Sequence, residues 1–404
     1  MSEKRGIPLI WKITIGFIAG IVFGKLFDPS VVGYVDPIGK IFMALLSMLI
    51  VPLVISSLVV GVASLGDPKA LGRIGVKTIA LSLITTAVAI AIGLVMGNVF
   101  QPGAGMDLAL ATATKAKAAP GLGEVLTGMF PKNFFDAMVK GNMLQIIVFA
   151  LFFGVAAIMA GEKGKPAIAF MNSVAEVMYK MTACVMALAP YGVFALIAVT
   201  VSKYGAAVLL PFLKVIIAVY AGCIIHAVLV YSGMVAIFVH KSPLWFFKGI
   251  KEASLTAFVT RSSSGTLPVT MECCRKMGVS EKVSSFVLPL GATVNMDGTA
   301  LYQGVCALFI AQAFGIPLSF GAQLSILVTA TLASIGTAGV PGAGLIMLSL
   351  VTVQAGLPIE GVAMIAGIDA VLDMIRTCIN ITGDAAVATV VAKSEGEDLV
   401  PPAE

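Results

Sequence analysis

The chain has 404 residues, of which 59% are hydrophobic and only 12% charged, with a net charge of +5 and a mean hydropathy of +1.03. A soluble domain carries about 25% charged residues, so much of this apolar surface must have lipid as its solvent. The modest positive charge, with no basic tail and no interleaving of aromatic and basic residues, excludes nucleic acid as a partner.

Apolar segments long enough to span a bilayer recur at 9–27, 40–64, 76–100, 142–160, 167–200, 206–239, 281–312 and 360–392. A span needs roughly 20 residues. The first begins near Ile7 without a small-residue cleavage site, so it reads as a membrane helix before a cleaved signal peptide. Two further segments, 243–275 and 317–356, are each interrupted by a polar turn containing Gly and Pro. Each half is too short to cross, so each segment reads as a re-entrant helical hairpin. The six cysteines lie in or beside apolar runs with no CxxC pair and read as packing residues, and two histidines are too few for a His-rich metal site.

Orientation follows from Lys and Arg. Lys4, Arg5, Lys12, Lys69, Arg73, Lys77, Lys163, Lys165, Lys241, Lys248, Lys251, Arg275, Lys276 and Lys282 fall on one side of the alternation, the cytoplasmic side. Lys115, Lys117, Lys132, Lys140 and Lys203 fall on the other. Both termini are then cytoplasmic, and 394–404 reads as a flexible polar tail.

The broken hairpins resemble each other. One carries Ser263-Ser264-Gly265-Thr266-Leu267-Pro268 and the other Ser334-Ile335-Gly336-Thr337-Ala338-Gly339-Val340-Pro341. Each precedes an apolar helix with polar groups: Asn295-Met296-Asp297-Gly298-Thr299 in the first case, Asp369, Asp373, Arg376, Thr377, Asn380 and Asp384 in the second. One such turn would suggest no more than a kinked helix. Two of them suggest an inverted repeat with a binding site between discontinuous helices. Half-helix N-termini favour an anion, and carbonyls freed at an unwound turn favour a hard cation.

Relative to Asp369, the residues Asp373, Arg376, Thr377, Asn380 and Asp384 project at about 40°, −20°, 80°, 20° and 60° on a helix. One polar stripe results. A charge at the bilayer centre costs about 2.5–3.5 kcal/mol on insertion scales. An ion pair of Asp369 with Arg376 could serve only to hold helices together. Asp373, Asp384 and Asp297 exceed what Arg376 and Arg261 neutralise, and surplus carboxylates beside amides and carbonyls suit mobile cations.

Thr260-Arg261-Ser262-Ser263-Ser264-Gly265-Thr266, Asn295-Met296-Asp297-Gly298-Thr299, the Ser334-to-Pro341 turn and Asp373…Arg376-Thr377…Asn380…Gly383-Asp384 resemble the signatures of the glutamate transporter family. These are dicarboxylate/amino acid:cation symporters, and the archaeal sodium/aspartate branch is the nearest in appearance. The resemblance covers nearly the whole chain. It implies an all-α polytopic membrane protein of eight transmembrane helices and two re-entrant hairpins, built on inverted repeats and working as an elevator. It implies a homotrimer in the inner or cytoplasmic membrane, with co-transported sodium and no organic cofactor. Scaffold helices would occupy 1–75 and 142–205. The transport domain would comprise the helix of 76–141, which ends in an outer connection, the helix of 206–239 and the core of 240–393.

The implied residue roles are as follows. Arg376 clamps the substrate's side-chain carboxylate, and Asp373 takes its α-amino group. Thr299, Thr377 and Asn380 are polar contacts, with Arg261 near the site. Ser263, Ser264, Gly339 and Val340 cradle the α-carboxylate. For sodium, Gly291, Asn295, Asn380 and Asp384 form one site and Thr85, Thr86, Asn295 and Asp297 a second. Backbone carbonyls near Thr293, Ser334, Ile335 and Thr337 belong to a third, formed as the second hairpin closes, and Met296 is a further sodium residue. Ser82 departs from a tyrosine in archaeal relatives beside the second sodium site. Gln303 departs from a glutamate that animal relatives use for proton and potassium coupling, so no potassium countertransport is expected. A C4-dicarboxylate or proton-coupled symporter is the alternative, and Asp373 speaks against the former. No pore-lining ring of like side chains supports a channel, and no nucleophile–base pair or HExxH supports an enzyme.

Overall fold

The computed structural model describes residues 9–63, 71–106, 127–128, 130–140, 143–205, 209–334, 337, 339 and 341–399. These residues are helical, with no β-strand among them. The longer helices are α1 (Leu9–Leu26), α2 (Asp36–Ala63), α3 (Val76–Phe100), α4 (Met143–Met159), α5 (Lys165–Ala187), α6 (Ala189–Tyr204) and α7 (Leu209–His226). They continue as α8 (Pro243–Thr260), α9 (Ser263–Lys276), α10 (Glu281–Val294), α11 (Asp297–Ala313), α12 (Phe320–Ser334), α13 (Ala343–Gln354), α14 (Glu360–Ala366) and α15 (Asp369–Ser394).

Among the described residues three helical segments are long and apolar enough to cross a membrane unaided: Arg73–Phe100, Leu209–Val239 and Asp369–Ser394. The outward faces of the first two carry exposed Val95, Val99, Leu229, Ile237 and Phe238, apolar surface too extensive for a monomer in water. The single span expected over 167–200 is instead a pair, α5 and α6, bent by 51°. Pro190 lies in the first turn of α6, where its missing N–H is tolerated but a continuous helix across the junction is not.

The helices fall into two groups that pack chiefly within themselves. In the first, α1 lies along α6 and α2 lies against α4, α5 and α6. A methyl at Gly16, Gly20 or Gly24 would fall 2.3–2.6 Å from the carbonyl oxygens of Pro190, Phe194 and Ala198. This small-xxx-small stripe lets the α1 and α6 backbones touch, and dispersion then replaces the hydrophobic drive that lipid removes. In the second group, α15 sits at the centre and packs against α3, α7, α8, α9, α10 and α11. Its polar stripe is therefore enclosed by protein, as a stripe of charges in an apolar chain must be.

Both expected hairpins are present, as α8–α9 and α12–α13. The first breaks at Arg261, held at φ 55°, and Ser262, which is extended. The Ser-Ser-Gly-Thr-Leu-Pro stretch is thus the opening of the returning limb, and the turn precedes it. Ser262 caps that limb by accepting from the Gly265 N–H at 3.0 Å. Two expected spans are also interrupted. The 281–312 stretch breaks at Asn295 and Met296, whose ψ angles of 84° and 49° are not helical. The 360–392 stretch breaks between Ala366 and Asp369.

The segment expected to be a loose tail is held over its first residues. Glu395 accepts from Arg73 and Lys77 at the foot of α3. Glu397 accepts from the Ser280 backbone at the start of α10, and Leu399 is buried. The guanidinium of Arg73 first, and the Lys77 ammonium with it, hold the Glu395 carboxyl down at about 2.

Candidate functional site

The two hairpin tips meet. The Ser262 hydroxyl donates to the Gly339 carbonyl at 2.8 Å, and the Ser264 N–H donates to the same oxygen at 3.1 Å. Beneath them lies a narrow, nearly filled polar cleft. Its wall includes Arg261, Ser263, Met296, Thr299, Thr337, Gly339, Asp373, Thr377 and Asn380. Of the expected substrate residues, Ser264 is exposed beside the tip contact. Val340 and Ile335 lie outside the described residues.

Arg376 is fully buried just behind this wall. Its Nη1 donates to Asp369 Oδ1 and its Nη2 to Asp373 Oδ1, each at 2.7 Å. The Tyr302 ring lies 4.0 Å from the guanidinium carbon, and the Tyr302 hydroxyl donates to Asp369 at 3.1 Å. A methyl at Gly344 would stand 2.9 Å from that carbon, so the returning limb of the second hairpin closes over the fork. Asp369 therefore does form a structural ion pair with Arg376, and Asp373 shares the same cation. Two buried polar atoms have no hydrogen-bond partner, Arg376 Nε and Asp373 Oδ2. Unpaired buried donors and acceptors are costly; one N–H beside one carboxylate oxygen suits a ligand that carries both signs of charge.

Asn380 organises the adjoining wall. Its Oδ1 accepts from the Gly298 N–H at 2.8 Å and the Thr299 N–H at 3.4 Å, at the N-terminus of α11. Its Nδ2 donates to Thr299 Oγ1 at 3.2 Å and to the Met296 sulfur at 3.1 Å. A methyl at Gly298 would lie 2.4 Å from the Arg376 carbonyl oxygen, so only glycine lets α11 start this close to α15.

The expected cation ligands form two groups joined by Asn295. In one, Asp297 Oδ1 accepts from Thr85 at 3.2 Å and Thr86 at 2.7 Å. In the other, Asp384 Oδ1 accepts from Asn295 Nδ2 at 3.2 Å, and a methyl at Gly291 would stand 2.6 Å from that oxygen. Asn295 Oδ1 meets the Thr85 hydroxyl at 3.1 Å. The remaining candidates are local: the Thr293 and Ser334 hydroxyls bond to Leu290 and Thr331 carbonyls, and Thr337 is buried at the second tip. Among the described residues no three His, Cys, Asp or Glu side chains converge as a metal cluster. The donors are carboxylate, amide and hydroxyl oxygens, a set suited to a hard, weakly held cation.

The family model described as the sodium:dicarboxylate symporter family matches residues 9–394. The chain belongs to that family. It is similar to the proton/sodium-glutamate symport protein of Geobacillus stearothermophilus, at 42% identity over 97% of this chain and 96% of that protein. It is also similar to the proton/glutamate-aspartate symporter of Escherichia coli (strain K12), at 39% identity over 96% and 93%. The C4-dicarboxylate transport protein of Anaeromyxobacter sp. (strain K) is 34% identical over 96% and 90%. Membership of a symporter family agrees with the apolar helices in making this a multi-pass membrane protein.

Three site residues escape the sequence reading. Tyr302 supports the Arg376–Asp369 pair, and His226 and Tyr231 reach Asp297 Oδ2 at 3.1 and 2.8 Å. A signal was present: a lone histidine and a tyrosine five residues on, inside the apolar run 206–239. On a regular helix they would face apart, so nothing in the sequence joined them.

Proposed function

We propose that the chain is a secondary active symporter that takes up an acidic amino acid, aspartate or glutamate, together with sodium. The observation that carries this reading is a pair of orphaned atoms, one on a residue of the cavity wall and one on the residue just behind it. Arg376 has an unpartnered Nε and Asp373 an unpartnered Oδ2, one for the carboxylate and one for the ammonium of the same molecule. The planar guanidinium suits a carboxylate, and Ser263, Ser264, Gly339 and Val340 of the two hairpins cradle a second carboxylate. Cations bind at Asp384 with Gly291, Asn295 and Asn380, and at Asp297 with Thr85, Thr86 and Asn295. A third site lies at the second hairpin.

The transport domain is 76–141, 206–239 and 240–393, moving as an elevator against the scaffold of 1–75 and 142–205. The division of the helices into two separately packed groups supports this boundary. The working unit is a homotrimer in the cell membrane, with eight crossings, two re-entrant hairpins and both termini in the cytoplasm.

Uptake of radiolabelled aspartate and glutamate into proteoliposomes, with sodium and proton gradients imposed separately, tests the reading. Accumulation driven by the sodium gradient is expected. Accumulation indifferent to sodium and driven by protons alone favours proton coupling instead, the coupling named for the Escherichia coli relative. If succinate competes as well as aspartate, the substrate is a C4-dicarboxylate and Asp373 has another role.

A further inference from the structure

The carboxylate of Asp297 divides its oxygens between two kinds of partner. Oδ1 takes the Thr85 and Thr86 hydroxyls of α3. Oδ2 takes the Tyr231 hydroxyl at 2.8 Å and lies 3.1 Å from His226 Nε2. A carboxylate only accepts, so this imidazole nitrogen is the donor. His226, Tyr231 and Asp297 have no exposed surface.

A wide turn at Ala227–Tyr231 makes the pairing possible. Residues five apart on an α-helix point about 140° away from each other. The i→i+5 repeat of a π-turn returns them to one face, and such turns gather at functional sites. The two rings meet edge to face, with centroids 4.8 Å apart.

The two sides differ in what they offer a cation. A threonine hydroxyl has two lone pairs and a rotatable proton, so Thr85 and Thr86 can turn from donating to coordinating. Near them are the Asn295 Oδ1 and the Ser82 carbonyl, at 3.1 and 3.0 Å from Thr85 Oγ1. On the same turn of α3 the Ser82 hydroxyl is fully buried and has no hydrogen-bond partner. The other side presents donors to the carboxylate. An imidazole N–H has no lone pair to give, and the Tyr231 hydroxyl also points at the Ile379 carbonyl, 3.1 Å away.

Resting on the cation-coupled reading above, we propose that His226 and Tyr231 form a donor clamp on Asp297 Oδ2. The clamp leaves the coupling cation one oxygen of this carboxylate and so weakens its binding at this site. They are positioning residues that never touch the ion. Transport needs a cation held well enough to enter and weakly enough to leave, and two fixed donors on the far oxygen set that balance without altering the ligands.

The test is a sodium titration of the purified full-length protein in detergent, at constant ionic strength with choline, read as thermal stabilisation. Tyr231→Phe and His226→Leu should reach half-saturation at least about tenfold lower sodium, a change of about 1.4 kcal/mol. His226→Gln, which keeps an N–H donor, should behave like the unaltered protein. In an Asp297→Asn background Tyr231→Phe should shift nothing. If the unaltered protein ignores sodium while Tyr231→Phe and His226→Leu respond, sodium coupling falls and the clamp stands. Half-saturation that is unchanged or raised, a shift that persists without the Asp297 charge, or no sodium response in any variant overturns the clamp.

Discussion

Replacing Asp373 by Asn removes one charge and almost no volume. The Asp373 carboxylate meets Arg376 Nη2 through Oδ1 at 2.7 Å, and its other oxygen is buried at the cavity with no hydrogen-bond partner. Asparagine still offers an acceptor to Arg376, which also keeps Asp369 through Nη1. The fold should therefore survive. What disappears is the negative charge at the position where an ammonium would bind. A hydrogen bond to a charged group is worth about 1.5–3 kcal/mol net, which is about tenfold to a little over a hundredfold in affinity. Succinate has both carboxylates of aspartate and no ammonium, so it should lose nothing. The assay is competition against labelled aspartate in proteoliposomes, or calorimetry on the purified protein, with both ligands at saturating sodium. The expected result is a fall of at least about tenfold in the ratio of aspartate to succinate affinity. An equal loss for both ligands, or aspartate affinity within about twofold of the unaltered protein, would mean that Asp373 only steadies Arg376.

Arg376→Ala should abolish binding of aspartate and glutamate. It should also cost about 3–5 kcal/mol of stability, because Asp369 and Asp373 are left as buried, unpaired carboxylates; retained aspartate uptake at the original half-saturation refutes the clamp role. Asp384→Asn should raise the sodium needed for half-maximal uptake and change aspartate affinity at saturating sodium far less, and superimposable sodium curves would remove Asp384 from the cation sites. Ser262→Ala deletes both the cap of α9 and one of the two hydrogen bonds between the hairpin tips; loss of a cap costs about 1 kcal/mol, seen as a lower unfolding temperature, and no change would show that the Ser262 hydroxyl does not hold this end of the hairpin. The Glu395 contact has a pH signature: a carboxyl held down at about 2 by Arg73 and Lys77 stabilises fully above the unfolded carboxyl range and loses its effect only as pH falls through about 2. Glu395→Gln should thus lower the unfolding temperature by the same amount at pH 5 and pH 7, and a difference that vanishes by pH 5 would contradict it.

The sequence makes the site more legible than the fold. Charged residues in a stripe along an apolar helix have to face protein, so the grouping of Asp369, Asp373, Arg376, Asn380 and Asp384 follows from helical geometry alone. The paired Ser-x-Gly-Thr motifs likewise mark both hairpins. The exact breaks do not follow, because Ser262 acts as a cap and pushes the turn one step ahead of the glycine and proline that seem to make it. The bend between α5 and α6 sits at Leu188 and Pro190 within an unbroken apolar run, where hydropathy has no signal. The partners of Arg376 and Asp297 were least visible. Tyr302 reaches Arg376 from another helix, and His226 and Tyr231 depend on a π-turn whose five-residue repeat no α-helical projection displays.

Under the proposed cation-coupled reading, Asn295 and Asn380 give coupling between cation and substrate a physical route. Asn380 touches the cavity with its side chain, caps the start of α11 with Oδ1 and offers its carbonyl to Asn295 Nδ2 at 3.4 Å. That same Asn295 amide donates to Asp384, and its Oδ1 meets Thr85 beside Asp297. An amide group has two donors and one acceptor oxygen, and here they are already shared among three neighbours. A cation arriving at either carboxylate competes for the Asn295 oxygen or repels its N–H, so the amide must reorient. Reorientation breaks its bond to the Asn380 carbonyl and disturbs the unwound link that carries Met296, whose sulfur Asn380 also touches. On that reading the wall of the substrate cavity shifts as the cation sites fill. The link is short and buried, and three of the four hydrogen-bonding positions of the Asn295 amide are already taken, so on this reading occupancy on one side is felt on the other.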